Sequence, residues 1–537
     1  MRKLLAILVF VSFIFSGAVV SDNYYATEAG LKILKEGGNA VDAAVAVGFA
    51  LAVTYPSAGN IGGGGFMVIW DGKRAHFLDY RETAPSAARW DMYMENGRFI
   101  REKALIGALA AGVPGTVAGL IEAHRRFGKL PLSRVLAPAI SLAEKGFRIS
   151  LFQAERFKRK EKLLRTFPET ARVFLPGGKS PQPGYILVQK DLARTLRRIA
   201  TRGRDDFYKG KTARLILRTM KKYRGLISYK DLISYKPKWR EPEIINYSGR
   251  RVIVSSLPSS GGLILRTILS VMGKSNLHTP SPIYYHFLIE SMRLAFYDRA
   301  KFMGDPDFSK IPLTGLRSEK YLEERMEKLL LLVPLPMESF NFDPFKYEGK
   351  ETTHFSVFDG KMAVSNTYTI NGLFGNGLVV SGAGFLLNNE MDDFSVPGFA
   401  NQFGAIGSKA NFIEGGKRML SSQSPTIVIK NGRVEAVLGA PGGTTIPNSV
   451  VQVILNLYQL GMTPWEAVYS PRLHHQWLPD VLFLERDFPQ NLSRALGDMG
   501  YRIKTRRRIG DVNGIYYWKG KYVPVADHRG DGRAGKI

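Results

Sequence analysis

Three short turn signals partition the β-forming parts of this chain and limit what it can build. Asp71-Gly72 stands between "FMVIW" and "AHFLDY", Asp359-Gly360 between "HFSVF" and "KMAVSNTYTI", and Asn431-Gly432 between "SPTIVIK" and "RVEAVLG". Asp-Gly and Asn-Gly supply positive φ at little steric cost, so each pair predicts a hairpin. Helical patterning flanks the hairpins. "ATEAGLKILKEGG" reads as an amphipathic helix stopped by Gly37-Gly38, and "NAVDAAVAVGFALAV" as a buried helix with Asn39 as its N-cap. The middle of the chain, to about residue 335, is mostly helical pattern, and "VVQVILNLYQLG" is a helix ended by Gly461. Strands followed by helices in both halves predict sheets sandwiched by helices.

The N-terminus differs from the rest. Arg2 and Lys3 precede the apolar "LLAILVFVSFIF", and Ser16-x-Ala18 follows. This pattern predicts a secretory signal peptide over residues 1–18 and an exported protein, with a retained anchor or an N-terminal core strand as the alternatives. The apolar run is short for a membrane span. No cysteine is present, which excludes thiol nucleophiles, disulfides and thiolate metal sites. The net charge of +28 is concentrated between "ERFKRKEKLLR" and "LRTMKKYRG". Solvated helix faces account for such runs, and contact with anionic surfaces is the functional alternative. Nucleic acid is not expected, because no zinc finger, RNP-like strand or basic zipper accompanies the charge.

Several familiar chemistries fail on spacing. Gly62 to Gly65 lacks both the Gly-Lys-Ser/Thr of a phosphate loop and the dinucleotide fingerprint. It reads either as a tight turn or as backbone packed close to a ligand. No G-x-S-x-G elbow or H-E-x-x-H is present. His474-His475 lacks further ligands at zinc-like spacing, so a structural role is expected and no metal or cofactor is called for.

What remains is a pair of threonines. "LLLVPLPMESFNFDPFKYEGKE" is proline-bearing and reads as a surface linker, and Thr352-Thr353 follow it at the head of a strand. A threonine hydroxyl needs a base. Cutting the chain before Thr352 would free its own α-amine, whose reference pKa of ~7.7–8.0 suits a base near neutral pH. Polar company is available in Thr369 and Asn371, Glu390 and Asp393, Ser421 and Ser422, and Gly442 and Gly443. Taken singly, each reads equally well as a strand end, a solvated acid or a turn.

Together these segments closely resemble the γ-glutamyltranspeptidase family of N-terminal-nucleophile hydrolases. The resemblance runs from "ATEAGLKILKEGGNAVDAAVAVGFALAV" through "GNIGGGGFM", "DYRETAP", "GVPGTVAG", "DFYKG", "LPSSGG", "DRAKFMGDPDF" and "TTHFSV" to "PRLHHQWLPD". It implies a four-layer αββα sandwich of the α/β class, formed jointly by two subunits of one precursor. On this sequence they would be a large subunit at 19–351 and a small one at 352–537, cut between Glu351 and Thr352. It further implies that Thr352 attacks γ-glutamyl compounds such as glutathione or glutamine, and that water or an acceptor amine resolves the ester. Gly442 and Gly443 would form the oxyanion hole, and Thr369 would orient the new N-terminus. Arg81, helped by Ser421 and Ser422, would clamp the substrate α-carboxylate. Asn371, Glu390 and Asp393 would hold its α-ammonium. Phe403 stands where relatives often carry a lid tyrosine, which implies a lid without that hydroxyl contact. The rival readings are an acylase or poly-γ-glutamate hydrolase of the same fold, and an uncleaved basic surface protein binding polyanions.

Overall fold

The strand that opens at Thr353 lies in the middle of a sheet built from both ends of the chain. The computed structural model describes residues 17–327, 329, 333–336, 353–396, 399 and 407–537. The leader up to residue 16, the pair Glu351 and Thr352, and Phe403 lie outside the described residues.

The strands of the two large sheets are β1 (Ala18–Ser21), β2 (Gly64–Trp70), β3 (Ala75–Asp79), β4 (Lys238–Arg240), β5 (Glu243–Tyr247), β6 (Arg250–Val254), β7 (Thr353–Phe358), β8 (Ala363–Thr369), β9 (Thr426–Lys430), β10 (Arg433–Gly439), β11 (Asn513–Trp518), β12 (Lys521–Val525) and β13 (Arg533–Lys536). The first sheet has seven strands in the order β13-β1-β7-β8-β2-β3-β4, and the second has six in the order β12-β11-β10-β9-β6-β5. Neighbours pair antiparallel throughout. All three expected hairpins form. Gly72 and Gly360 both have φ of 95°, and Asn431 and Gly432 have φ of 50° and 79°.

Strand alternation sorts the core into layers. Ala18, Val20, Phe66, Val68 and Phe358 point from the first sheet to Ile253, Ile427, Ile429, Val437 and Ile515 of the second. The intervening residues Val19, Met67, Phe355, Val357 and Val364 point the other way, into a helical layer. That layer includes α1 (Tyr24–Lys35), α2 (Ala40–Thr54), α3 (Thr116–Phe127) and α4 (Leu132–Lys145). Beyond the second sheet, Val252, Val254, Val428, Ala436 and Leu438 pack on α5 (Gly261–Ser275), α6 (Pro282–Phe302) and α7 (Thr445–Tyr458). The result is a four-layer αββα sandwich. Each fully buried Val, Ile or Phe in it contributes roughly 1.5–3 kcal/mol.

Local chemistry explains the elements that frame the site. Asn39 caps α2 through its Oδ1, which accepts from Val41 and Asp42 N–H at 3.0 Å, and Asp42 Oδ2 accepts from Asn39 N–H in return. All fifteen residues of α2 are buried, which is why "VDAAVAVGFALAV" carries no polar stripe. The basic helices turn their charge outward, with Lys158, Arg159, Lys221 and Lys222 exposed. Among the described residues no helix is long and apolar enough to cross a membrane. Strands β1 to β6 precede position 351 and β7 to β13 follow it, so a cut there would leave both sheets composite.

Candidate active site

The glycine run comes first, because it sets the position of Thr369. A Cβ on Gly63 would lie 2.0 Å from the Thr369 carbonyl oxygen, and one on Gly62 the same distance from that of Leu386. On Gly65 it would lie 2.4 Å from the Thr367 oxygen. The run therefore packs against this chain's own backbone, and only glycine permits that approach. Thr369 closes β8, opposite Gly64. Its Oγ1 accepts from Asn371 N–H at 2.8 Å. Asn371 adopts φ of 71°, and its Nδ2 donates to the Asn389 carbonyl at 2.9 Å.

Arg81 follows β3 and is fully buried. Its Nη1 lies 2.7 Å from Glu390 Oε2 and 3.6 Å from Glu82 Oε2, and its Nη2 pairs with Asp393 Oδ2. Its Nε donates to the Met419 carbonyl at 3.4 Å. One guanidinium thus faces three carboxyl groups. Burial pushes Glu390 well above the usual carboxylate range and Glu82 up to about 8, each against the pull of Arg81. The coulombic pull of Glu390 and Asp393 raises Arg81 despite its burial.

Ser421 and Ser422 come from the loop before β9. Ser421 N–H donates to the Pro258 carbonyl at 2.9 Å, and Ser260 N–H donates to the Ser421 carbonyl at 2.9 Å. This ties the serine pair to the "LPSSGG" turn. Gly442 and Gly443 have φ of 134° and 58°, values that favour glycine. Their carbonyls accept from Thr445 and Ile446 N–H at 3.1 and 3.2 Å as α7 begins. Neither glycine N–H donates to a described residue.

These groups converge on one small recess. Of the residues singled out in the sequence, Arg81, Thr369, Asn371, Asp393, Ser421, Ser422 and Gly443 line it. Glu390 does not: it is wholly buried behind the recess, against Arg81. Gly442 stands immediately before Gly443 and outside the lining. Arg299, Gln423, Thr444 and Ile446 complete the wall. Sequence reasoning had not singled them out, although "DRAKFMGDPDF" carries Arg299. His474 and His475 lie elsewhere and serve as braces. Asn448 Nδ2 donates to His474 Nδ1 at 2.8 Å, and His475 Nε2 lies 3.2 Å from Asp480 Oδ1.

A four-layer αββα sandwich with a polar recess at the end of a central strand pair is the architecture of an N-terminal-nucleophile hydrolase. Within that class, the chain belongs to the γ-glutamyltranspeptidase family, whose sequence profile matches residues 26–537. It is 45% identical over 529 residues to a glutathione hydrolase proenzyme of Pseudomonas aeruginosa, covering 96% of this chain and 94% of that one. Among solved structures, it resembles the cephalosporin acylase of Bacillus halodurans with a TM-score of 0.86 at 27% identity, covering 97% of this chain and 96% of that one. It also resembles the γ-glutamyltranspeptidase of Pseudomonas nitroreducens complexed with L-DON. There the TM-score is 0.55 at 45% identity, covering 57% of this chain and 92% of that chain. The protein is accordingly an enzyme, a γ-glutamyltransferase and glutathione hydrolase.

Proposed function

We propose that the precursor cuts itself between Glu351 and Thr352, and that the freed Thr352 is the nucleophile of γ-glutamyl transfer. The observation that carries this reading is convergence. Residues scattered from Arg81 to Gly443 line one small recess beside Thr369. Thr353 pairs with Tyr368, so Thr352 precedes one member of a strand pair just as Thr369 follows the other.

In this reading the Thr352 hydroxyl adds to the γ-carbonyl carbon of glutathione, glutamine or a similar amide, while its own α-amine takes the hydroxyl proton. The Gly442 and Gly443 N–H groups stabilise the oxyanion; losing such a donor typically costs ~3–4 kcal/mol. The proton passes to the departing amine, leaving a γ-glutamyl ester that water or an acceptor amine resolves. Thr369 orients the new N-terminus. Arg81, Ser421 and Ser422 receive the α-carboxylate, and Asn371 and Asp393 the α-ammonium, with Glu390 acting from behind. An acylase reading has the cephalosporin acylase likeness in its favour, but a recess lined by guanidinium and carboxylate suits a zwitterionic head group better than an apolar acyl chain.

A denaturing gel with N-terminal sequencing tests the proposal. Wild-type protein yields two associated fragments, the smaller starting at Thr352, and Thr352→Ala stays intact and inactive. A small fragment starting elsewhere, or a single chain with full activity, rules the proposal out. Export by the N-terminal segment, contact of the basic helices with anionic surfaces, and a bias toward hydrolysis from Phe403 belong to the same proposal. Phe403→Tyr raises the transfer-to-hydrolysis ratio if a lid hydroxyl matters there.

A further inference from the structure

Arg299 has no part in the roles given above, yet it is the second guanidinium of the recess. It sits near the C-terminal end of α6 and is 6% exposed. Its Nε donates to Ser422 Oγ at 3.1 Å. No carboxylate among the described residues lies within salt-bridge distance of it, in contrast to Arg81.

Donor counting gives this contact its meaning. A guanidinium has no acceptor, so the proton in the Arg299–Ser422 bond belongs to arginine. A hydroxyl that accepts such a bond still has its own proton to donate. The neighbouring serine is treated alike, since Gln423 N–H donates to Ser421 Oγ at 3.2 Å. Among the described residues neither serine hydroxyl donates to anything, and both line the recess. A carboxylate is the complementary ligand, because when ionised it only accepts.

The charges point the same way. Arg81 is engaged on both Nη groups by Glu390 and Asp393, so both ends of its fork are already occupied inside the protein. Among the described residues Arg299 has no acid within salt-bridge distance, and Asp393 is the acid whose field reaches it. Burial brings it down to about 10, which leaves it a cation at neutral pH. An isolated buried cation is unfavourable until an anion arrives.

We infer that Arg299 is a positioning residue for head-group recognition: it fixes the Ser422 hydroxyl as a donor toward the substrate α-carboxylate and supplies the uncompensated positive charge that draws that carboxylate into the recess. This rests on the reading that the recess takes a γ-glutamyl head group.

The test compares Ki for L-glutamate with Ki for its α-carboxamide, L-isoglutamine, against turnover of γ-glutamyl-p-nitroanilide. Arg299→Gln, Arg299→Lys, Ser422→Ala, the double variant Arg299→Gln/Ser422→Ala, and Arg81→Gln are measured beside wild type. Arg299→Gln is expected to weaken L-glutamate roughly ten- to a hundred-fold, the scale of a charged hydrogen bond, and L-isoglutamine by less than about threefold. The loss is expected to appear in KM more than in kcat, and to be smaller once Ser422 is alanine. Arg299→Lys keeps the charge without the fork and should fall between, which covers the case in which the glutamine variant fails to fold. Equal losses for both ligands in the folded Arg299 variants, or losses that simply multiply with Ser422→Ala, overturn the inference. If Arg81→Gln also leaves discrimination intact, the γ-glutamyl reading fails with it; if Arg81→Gln abolishes discrimination, only the role of Arg299 falls.

Discussion

Asp22, the residue after β1, accepts a hydrogen bond from the Thr353 hydroxyl at 2.7 Å and another from the His354 N–H at 3.0 Å. Its other oxygen accepts from Asn513 Nδ2 at 2.6 Å. A buried carboxylate from before the proposed cut thus holds the first described residues after it. Burial pushes Asp22 from its ordinary 3.8 up to about 7, although Thr353, His354 and Arg156 all favour its charged form.

Linkage gives this a sign. The folded state holds the Asp22 proton to higher pH than the unfolded state does, so stability falls as pH rises from about 4 to about 7. The contribution is on the order of a few kcal/mol at most, at 1.36 kcal/mol per pKa unit. Asp511 and Asp531 are raised by burial in the same neighbourhood and add to the slope. Asp22→Asn should therefore flatten the pH dependence of urea unfolding between pH 4 and 7 without abolishing it. Identical slopes for variant and wild type would show that Asp22 titrates normally.

Gly63 bears directly on the placement of Thr369. Alanine there puts a methyl group 2.0 Å from a backbone oxygen, and backbone cannot swing aside as a side chain would. Gly63→Ala is expected to lower Tm by several degrees or more and to slow self-cleavage. Gly315 has open space around its missing Cβ and no positive φ, so Gly315→Ala is the matched control and should change neither. Normal cleavage and Tm in Gly63→Ala would remove the structural reason given for the glycine run.

The hairpins and the layer architecture were legible because period-two patterning and Asn-Gly or Asp-Gly turns are local signals. The recess was legible in outline: Arg81, Asn371, Asp393 and the serine pair stand in motifs that name their company. Three features were not. Arg299 lies on a helix whose residues are mostly buried, and only the packing of α6 against the loop before β9 brings it to Ser422. Glu390 looked like a direct ligand of the substrate because spacing cannot tell the wall of a recess from the layer behind it. The glycine run left a turn and a ligand approach equally open, and the decision needed the carbonyl of Thr369, three hundred residues away along the chain (position 369 against 63).

The N-terminal boundary makes a further prediction. Ala18 begins β1, opposite Phe358 and Lys536, and the Gly17 carbonyl accepts from Ile537 N–H at 2.8 Å. Removing residues 1–18 would take the first residue from a central strand. If the leader is processed, the mature large fragment should therefore begin at or before Gly17. Edman sequencing of an exported sample that begins at Val19 would show that this strand end is dispensable.

The last prediction concerns Glu390. Its carboxyl is buried 2.7 Å from Arg81 Nη1, a geometry that suggests an ion pair. Burial, with Glu82 and Asp393 nearby, nevertheless raises it well above the usual range. One guanidinium cannot hold three adjacent carboxylates ionised in a low-dielectric site, so Glu390, wholly cut off from water as Glu82 is, is expected to keep its proton. A neutral amide of the same shape should then serve nearly as well: Glu390→Gln is expected to keep kcat/KM within about threefold of wild type. Glu390→Ala leaves Arg81 without its buried neighbour and opens a cavity, so a loss of roughly ten-fold or more is expected, at ~1–3 kcal/mol for an unsatisfied buried polar group. The two variants should also differ in pH response, the glutamine form tracking wild type near neutral pH. A glutamine variant as damaged as the alanine one would establish that Glu390 acts as a charged partner of Arg81.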